Sequence, residues 1–140
     1  MTSELINFLE TNIKNQRGKK TPRRTSTEYQ ECKAFWEYAQ LVPNLRNYLI
    51  KIANERTDEV WYIKSLLRIG LRSGLPDYYY PLPNKKYFGL WIEMKRANGK
   101  TTNNQEEWID KLNKIGHYAC IAHGAMEAID IFNNYINDRL

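Results

Sequence analysis

The six residues from Leu90 to Lys95, Leu-Trp-Ile-Glu-Met-Lys, constrain the fold more than any other stretch of the chain. In a strand, side chains two positions apart lie on the same face, so Glu93 and Lys95 point the same way and the alternating apolar residues point to the other side. An acid and a base on the face of a buried strand cost free energy unless something pairs them. A bound metal ion would pair with Glu93, and Asp77, which follows Pro76 after a glycine-rich turn, could supply a second carboxylate.

A proline–aspartate pair followed on the next strand by Glu-x-Lys resembles the signature of the PD-(D/E)XK nuclease superfamily. Four longer motifs resemble its VRR-NUC (virus-type replication-repair nuclease) branch, in the free-standing form of phages and bacteria. The motifs are Gly70 with Gly74-x-Pro76-Asp77, Gly89-Leu90-x-Ile92-Glu93-x-Lys95, Gly99-Lys100 with Gln105 and Trp108, and Gly116-His117-Tyr118. The resemblance covers roughly residues 26 to 137. It implies an α/β fold with a restriction-endonuclease-like PD-(D/E)XK core, in which helices flank a mixed β-sheet.

The same resemblance implies a site that hydrolyses phosphodiester bonds with Mg²⁺ or Mn²⁺. The catalytic residues that it implies are Asp77, Glu93, Lys95 and Gln105. The metal ligands that it implies are Asp77, Glu93, the backbone carbonyl of Met94 and Glu28. Mg²⁺ favours oxygen ligands and keeps several waters, so two carboxylates and a carbonyl suffice to hold it. Lys95 would orient or deprotonate the attacking water, or hold a phosphate oxygen. Gln105 has an alternative interpretation, as a helix cap or a solvent-facing residue.

The glutamate at the start of the first core helix has two interpretations. Helical periodicity over residues 27 to 41 places Glu28 on the apolar side, together with Cys32 and Phe35. Glu28 either is a first-turn acid favoured by the helix dipole or, as the resemblance implies, lies near the metal. Because sequence does not fix the register of this helix, Glu31 is the alternative.

The net charge of +5 is unevenly distributed along the chain. A basic arm with no acidic residue between Thr11 and Thr27 holds six of the 21 basic residues, leaving 15 basic against 16 acidic residues elsewhere. This arm is either a flexible linker or a DNA contact, and DNA contact is preferred. The predicted DNA-binding residues are Lys14, Arg17, Lys19, Lys20, Arg23 and Arg24 in the arm, and Arg72, Lys85 and Lys86 in two loops.

A length of 140 residues suits one domain with one core. Residues 1–25 are predicted to form an N-terminal helix and the basic arm, and residues 26–140 the nuclease domain. No apolar run approaches the ~20 residues of a membrane helix and no secretory signal opens the chain, so a cytoplasmic location is expected. The resemblance implies a bacterial host cell and a host, phage or prophage gene. Cys32 and Cys120 are predicted to be reduced core residues, and with two histidines they show no zinc-site spacing.

Hydrophobic periodicity and turn residues predict the order of the elements. Helices are predicted over residues 3–13, 27–41 with a cap at Ser26 or Thr27, 58–69, from a capping box at Asn103 and Glu106 to Gly116, and 126–136. Strands are predicted over residues 47–53, 75–80, 87–95 and 118–122, the last of them in the centre of the sheet.

The resemblance to the VRR-NUC branch implies a metal-dependent, structure-selective DNA endonuclease, and in first place a Holliday-junction (four-way junction) resolvase, which small free-standing members of that branch resemble. A symmetric junction must be cut on two opposing strands and one chain offers one site, so a homodimer is predicted. The alternatives are a flap, nicking or restriction-type nuclease, and a non-catalytic DNA-binding accessory module. The intact set of implied catalytic residues weighs against the accessory module.

Overall fold

The computed structural model of the chain describes residues 26–53 and 60–140. The predicted N-terminal helix, the six basic-arm residues and the predicted helix start at residue 58 lie outside these residues. The elements of the described part are α1 (Glu28–Leu41), α2 (Pro43–Tyr48), β1 (Ile50–Lys51), α3 (Val60–Arg68), β2 (Tyr78–Tyr80), β3 (Leu90–Lys95), α4 (Asn103–Lys114), β4 (Tyr118–His123) and α5 (Ala125–Ile136).

The strands form one mixed sheet in the order β1-β2-β3-β4. β1 pairs antiparallel with β2 and β2 antiparallel with β3, whereas β3 and β4 run parallel. The strand that carries Glu93 therefore lies inside the sheet. The prediction that the strand at residues 118–122 is central was wrong: β4 is the last strand of the described sheet. Its apolar sequence reflects burial by helices on its faces, which does not require a strand neighbour on both sides.

The apolar half of β3 forms the core with α1 and α5. Leu90, Ile92 and Met94 are at most 1% exposed and belong to one cluster with Phe35 of α1 and Phe132 of α5. The predicted alternation of faces in β3 is therefore confirmed for its apolar residues. Trp91, on the opposite face, stacks on Tyr79 of β2 with 4.2 Å between ring centroids. None of the described helices has the length and apolar character needed to cross a bilayer.

Local capping explains where two helices begin. Thr27 is the N-cap of α1 and forms a capping box with Gln30, as predicted for one of the two candidate caps. In α4 the predicted box at Asn103 is displaced by one residue, because Thr102 is the N-cap and Gln105 its reciprocal partner. α5 starts at Ala125, one residue before the predicted start.

The predicted strand over residues 47–53 was wrong for most of its length. Pro43 stands at the first position of helix α2, where proline is favoured, and Leu45 and Leu49 are buried one turn apart. The apolar run that indicated a strand is thus partly the buried side of a helix end. Only Ile50–Lys51 pairs in the sheet.

The two strands that carry the motifs are shorter than predicted. β2 starts at Tyr78 rather than at residue 75, because Pro76 has no N–H to donate to a ladder. β3 starts at Leu90 rather than at residue 87, and the N–H of Phe88 instead donates to the carbonyl of Gly116. Asp77 therefore lies directly before β2, next to its first residue, Tyr78.

Candidate active site

Asp77 is fixed between β1 and β3 by three hydrogen bonds. Its Oδ2 accepts from the backbone N–H of Met94 at 2.9 Å, and its Oδ1 accepts from Nζ of Lys51 at 2.8 Å. Its carbonyl accepts from the N–H of Ile52 at 2.8 Å. The residue is 8% exposed. The carboxylate is therefore held in one orientation next to the strand that carries Glu93.

Glu93 and Lys95 form a buried pair on the face of β3 opposite the apolar core. They are 1% and 6% exposed, and Nζ of Lys95 lies 2.7 Å from Oε1 of Glu93. The side-chain amide of Gln105 donates to the same Oε1. The other carboxylate oxygen, Oε2, is buried and has no hydrogen-bond partner among residues 26–53 and 60–140. A buried carboxylate oxygen without a partner is costly, so this atom favours a cation.

The site shifts the pKa values of its acid, Glu93, and its base, Lys95. Burial raises the pKa of Glu93 to about 7, and the nearby carboxylates of Asp77 and Glu28 add to that effect against the lowering hydrogen bond from Lys95. Burial alone lowers the pKa of Lys95, but its hydrogen bond to Glu93 and the surrounding carboxylates outweigh burial and raise it. Lys95 is therefore protonated, and Glu93 binds a proton easily until a cation replaces that proton.

Gln105 combines the two interpretations that its sequence position left open. Its Oε1 accepts from the N–H of Thr102 at 2.9 Å as part of the capping box of α4. Its Nε2 donates to Glu93. The helix cap therefore fixes the side-chain amide that holds the carboxylate, and a catalytic role of Gln105 stays a prediction.

The two candidate glutamates of α1 have different partners. Oε2 of Glu28 lies 3.5 Å from Nζ of Lys95, and the Glu28 side chain is 47% exposed. Oε2 of Glu31 accepts from the N–H of Ala125 at 2.7 Å, while its Oε1 accepts from the hydroxyl of Ser26. Glu31 thus ties α1 to the start of α5, and Glu28 is the one at the site. A direct bond from Glu28 to a metal stays a prediction, because its contact here is with the lysine.

The donor set fits a hard divalent cation. Within residues 26–53 and 60–140, no three His, Cys, Asp or Glu side chains form a metal cluster, but Mg²⁺ needs fewer protein ligands than that. Asp77 and Glu93 supply two carboxylates, one with a free oxygen. The N–H of Met94 faces Asp77, and because the N–H and C=O of a strand residue face the same neighbour, its carbonyl faces that side too.

The loop before Asp77 is seated on α4. Gly74 has a φ of +86°, and a Cβ added there would come within 2.8 Å of Asn104. The indole N–H of Trp108 donates to the carbonyl of Ser73 at 3.0 Å. Two neighbouring residues of this loop, Ser73 and Gly74, therefore contact α4, which positions the Pro-Asp segment relative to the helix that carries Gln105.

The predicted DNA contacts in the loops do not all lie at this end of the sheet. Lys85 and Lys86 lie at the opposite end of the β2–β3 hairpin, at least about 10 Å along the strands from Asp77. Nζ of Lys85 is 3.4 Å from a carboxylate oxygen of Asp138, and Nζ of Lys86 is 4.9 Å from the ring centre of Tyr87. Arg72 is exposed in the loop that precedes Asp77.

Sequence reasoning missed Lys51, whose ammonium binds Asp77. The available signal was a single charged residue in the apolar run of residues 47–53, whereas β3 carries two, an acid and a base at alternate positions. Its pairing with Asp77 depends on which strand lies beside β2, and one sequence does not give that. Cys32 and Cys120 are half-buried free thiols, and burial raises their pKa values to about 11 and about 12, as expected for unreactive reduced cysteines.

Comparison with known proteins identifies the family and the fold. A family model described as "VRR-NUC domain" matches residues 26–126. A solved structure described as "VRR_NUC domain protein" has a TM-score of 0.72 and 24% sequence identity, and the match covers 81% of this chain and 91% of that chain. Among curated proteins the chain has no match. The predicted α/β fold, a mixed sheet flanked by helices, is thereby confirmed.

Proposed function

The chain belongs to the VRR-NUC domain family, which implies a nuclease of the PD-(D/E)XK type, and we propose that it is a divalent-metal-dependent endonuclease that cuts four-way DNA junctions. One observation carries the proposal. The buried carboxylate of Glu93 has one oxygen paired with Lys95 and the other without a partner in the described part of the chain, and the next residue, Met94, donates its N–H to the carboxylate of Asp77. A purely structural ion pair would have both oxygens satisfied.

The residues of the site have separate roles in hydrolysis. Asp77, Glu93 and the carbonyl of Met94 hold Mg²⁺ or Mn²⁺, with Glu28 at the edge of the site. The bound cation supplies positive charge that activates water and stabilises the phosphoryl oxygens in the transition state. The ammonium of Lys95, 2.7 Å from Glu93, donates to the attacking water or to a phosphate oxygen. Gln105 keeps Glu93 in place through its hydrogen bond.

The proposed substrate is branched DNA and the proposed assembly is a homodimer. A four-way junction presents two equivalent strands, and two copies related by a two-fold axis place one site on each of them. The basic arm, the loop with Arg72 and the hairpin end with Lys85 and Lys86 supply phosphate contacts. The proposed location is the cytoplasm of a bacterial host cell, and the proposed gene is a host, phage or prophage gene.

A cleavage assay tests the proposed function. A labelled four-way junction and a linear duplex of matched sequence are incubated with the protein in Mg²⁺, Mn²⁺ or EDTA, with Asp77→Asn as the inactive control. Paired, metal-dependent nicks in the junction alone are expected. Cutting of flaps or duplex with equal efficiency would keep the nuclease and contradict the junction preference. Tight junction binding without any cutting would contradict the catalytic proposal and favour an accessory module.

A further inference from the structure

Lys51 occupies the position from which a cation would reach Asp77. It is one of the two residues of β1, and its Nζ donates to Oδ1 of Asp77 at 2.8 Å and to the carbonyl of Ile52 at 3.3 Å. The ammonium also lies 5.2 Å from the ring centre of Tyr78. The side chain is 43% exposed. Lys51 is thus held by the site on one side and open to solvent on the other.

Asp77 has one oxygen that can change partners. Its Oδ2 is bound to the backbone N–H of Met94, a buried strand residue whose hydrogen bond cannot be lost without moving β3. Its Oδ1 accepts from the ammonium of Lys51, whose side chain is partly exposed to solvent. A cation that binds Asp77 through Oδ1, together with the unpaired oxygen of Glu93, would share Oδ1 with the ammonium or displace it.

The net charge around Asp77 favours the ammonium of Lys51 before a cation binds and disfavours it afterwards. Three carboxylates at the site, Asp77, Glu93 and Glu28, face two ammonium groups, Lys51 and Lys95. A divalent cation reverses the sign of the site. The ammonium of Lys51 is then repelled from Asp77, and its flexible stem lets it reach an anion in the solvent next to the site.

We propose that Lys51 is a switching counter-ion, which neutralises Asp77 in the metal-free protein and pairs with a DNA phosphate once a divalent cation is bound. The inference rests on the proposed metal-dependent nuclease function. Its consequence is thermodynamic coupling: Lys51 weakens cation binding in the absence of DNA and strengthens DNA binding in the presence of the cation. Each ligand, the cation or the DNA, therefore binds more tightly to protein that already holds the other ligand than to the free protein.

Two binding measurements on the full chain test this coupling. Titration calorimetry with Mn²⁺ alone gives the cation affinity, and fluorescence anisotropy of a labelled four-way junction in Ca²⁺ or in EDTA gives the cation's effect on DNA affinity. The variants are Lys51→Met and Lys51→Gln, which remove the charge, and Lys51→Arg, which keeps it. The matched control is Lys114→Met, which removes one lysine from an exposed ion pair with Asp110 at the far end of α4.

Removal of the charge should raise the affinity for Mn²⁺ and reduce the gain in junction affinity that Ca²⁺ causes. Lys51→Met and Lys51→Gln should bind Mn²⁺ about fivefold to tenfold more tightly, and the gain in junction affinity caused by Ca²⁺ should fall by about the same factor. Lys51→Arg and Lys114→Met should keep both wild-type values. A residue that only supports the fold would weaken both affinities or change neither.

The outcomes separate this inference from the function on which it rests. If wild-type protein binds Mn²⁺ and both neutral variants bind it equally or more weakly, the switching role of Lys51 is wrong while the nuclease proposal stands. Tighter Mn²⁺ binding with an unchanged effect of Ca²⁺ on the junction would also overturn the switch, because no phosphate contact is then lost. Absence of Mn²⁺ binding to wild-type protein would overturn the proposed function itself.

Discussion

The stability of the metal-free protein should fall as the pH rises towards neutrality, because of Glu93. Burial raises the pKa of this carboxyl from 4.5 to about 7. Between those two values the folded protein keeps the proton and the unfolded chain releases it. A group whose pKa is raised by folding contributes stability that is fully present below the unfolded pKa and is lost as the pH rises through the folded pKa.

The size of this effect follows from the pKa difference. Each pKa unit corresponds to about 1.4 kcal/mol, so a shift of this size gives roughly 3 kcal/mol in the free energy of unfolding, and about 2 to 3 kcal/mol of it falls between about pH 5 and pH 8. Glu93 is 1% exposed, so solvent screening reduces this value little.

Urea unfolding in EDTA measures the effect directly. Wild-type protein and Glu93→Gln are compared at several pH values between about pH 5 and pH 8. As the pH rises, the unfolding free energy of the wild type should fall by about 2 to 3 kcal/mol relative to that of Glu93→Gln. Parallel pH profiles of the two proteins would refute the reasoning, because the carboxyl would then have the same pKa folded and unfolded.

Three further predictions concern catalysis, the arm and the cap. Asp77→Asn should abolish cleavage while junction binding by anisotropy in EDTA stays near wild type; surviving cleavage would mean that the site is misassigned. Deletion of residues 1–25 should weaken junction binding and flatten its dependence on log salt, by about 0.9 for each lost phosphate contact, and an unchanged slope would identify the arm as a linker. Gln105→Leu should lower the cleavage rate and should lower the unfolding free energy by about 1 kcal/mol. Thr102→Ala, which removes the cap alone, should cost about the same stability and spare most of the cleavage. Equal loss of cleavage in both variants would reduce Gln105 to a capping residue.

The parts of the site that depend on local pattern were predictable. Alternation in the run from Leu90 to Lys95 placed Glu93 and Lys95 on one face, and both are buried there in contact with each other. Thr27 was one of two predicted caps and is the N-cap of α1. In these cases the interacting residues lie within a few positions of each other, so the period of the element fixes their relation.

The parts that depend on pairing between distant segments were not predictable. Lys51 contacts Asp77 because β1 pairs with β2, and although a strand was predicted over residues 47–53, the sequence did not indicate which strand lies beside it. The hairpin loop with Lys85 and Lys86 lies opposite the site because β2 and β3 are antiparallel, which reverses the direction of the chain there. Glu31 contacts Ala125 rather than the site because α1 packs on α5, a contact between segments far apart in sequence.

A crystal structure with Mn²⁺ tests the central claim most directly, since the anomalous signal of the ion locates it without assumptions about activity. We predict an anomalous peak at coordination distance, about 2.1 Å, from a carboxylate oxygen of Asp77 and from Oε2 of Glu93, with the Met94 carbonyl on the same ion and the peak absent in Asp77→Asn. A peak elsewhere on the protein, or no peak at Mn²⁺ concentrations that support cleavage, would contradict the account.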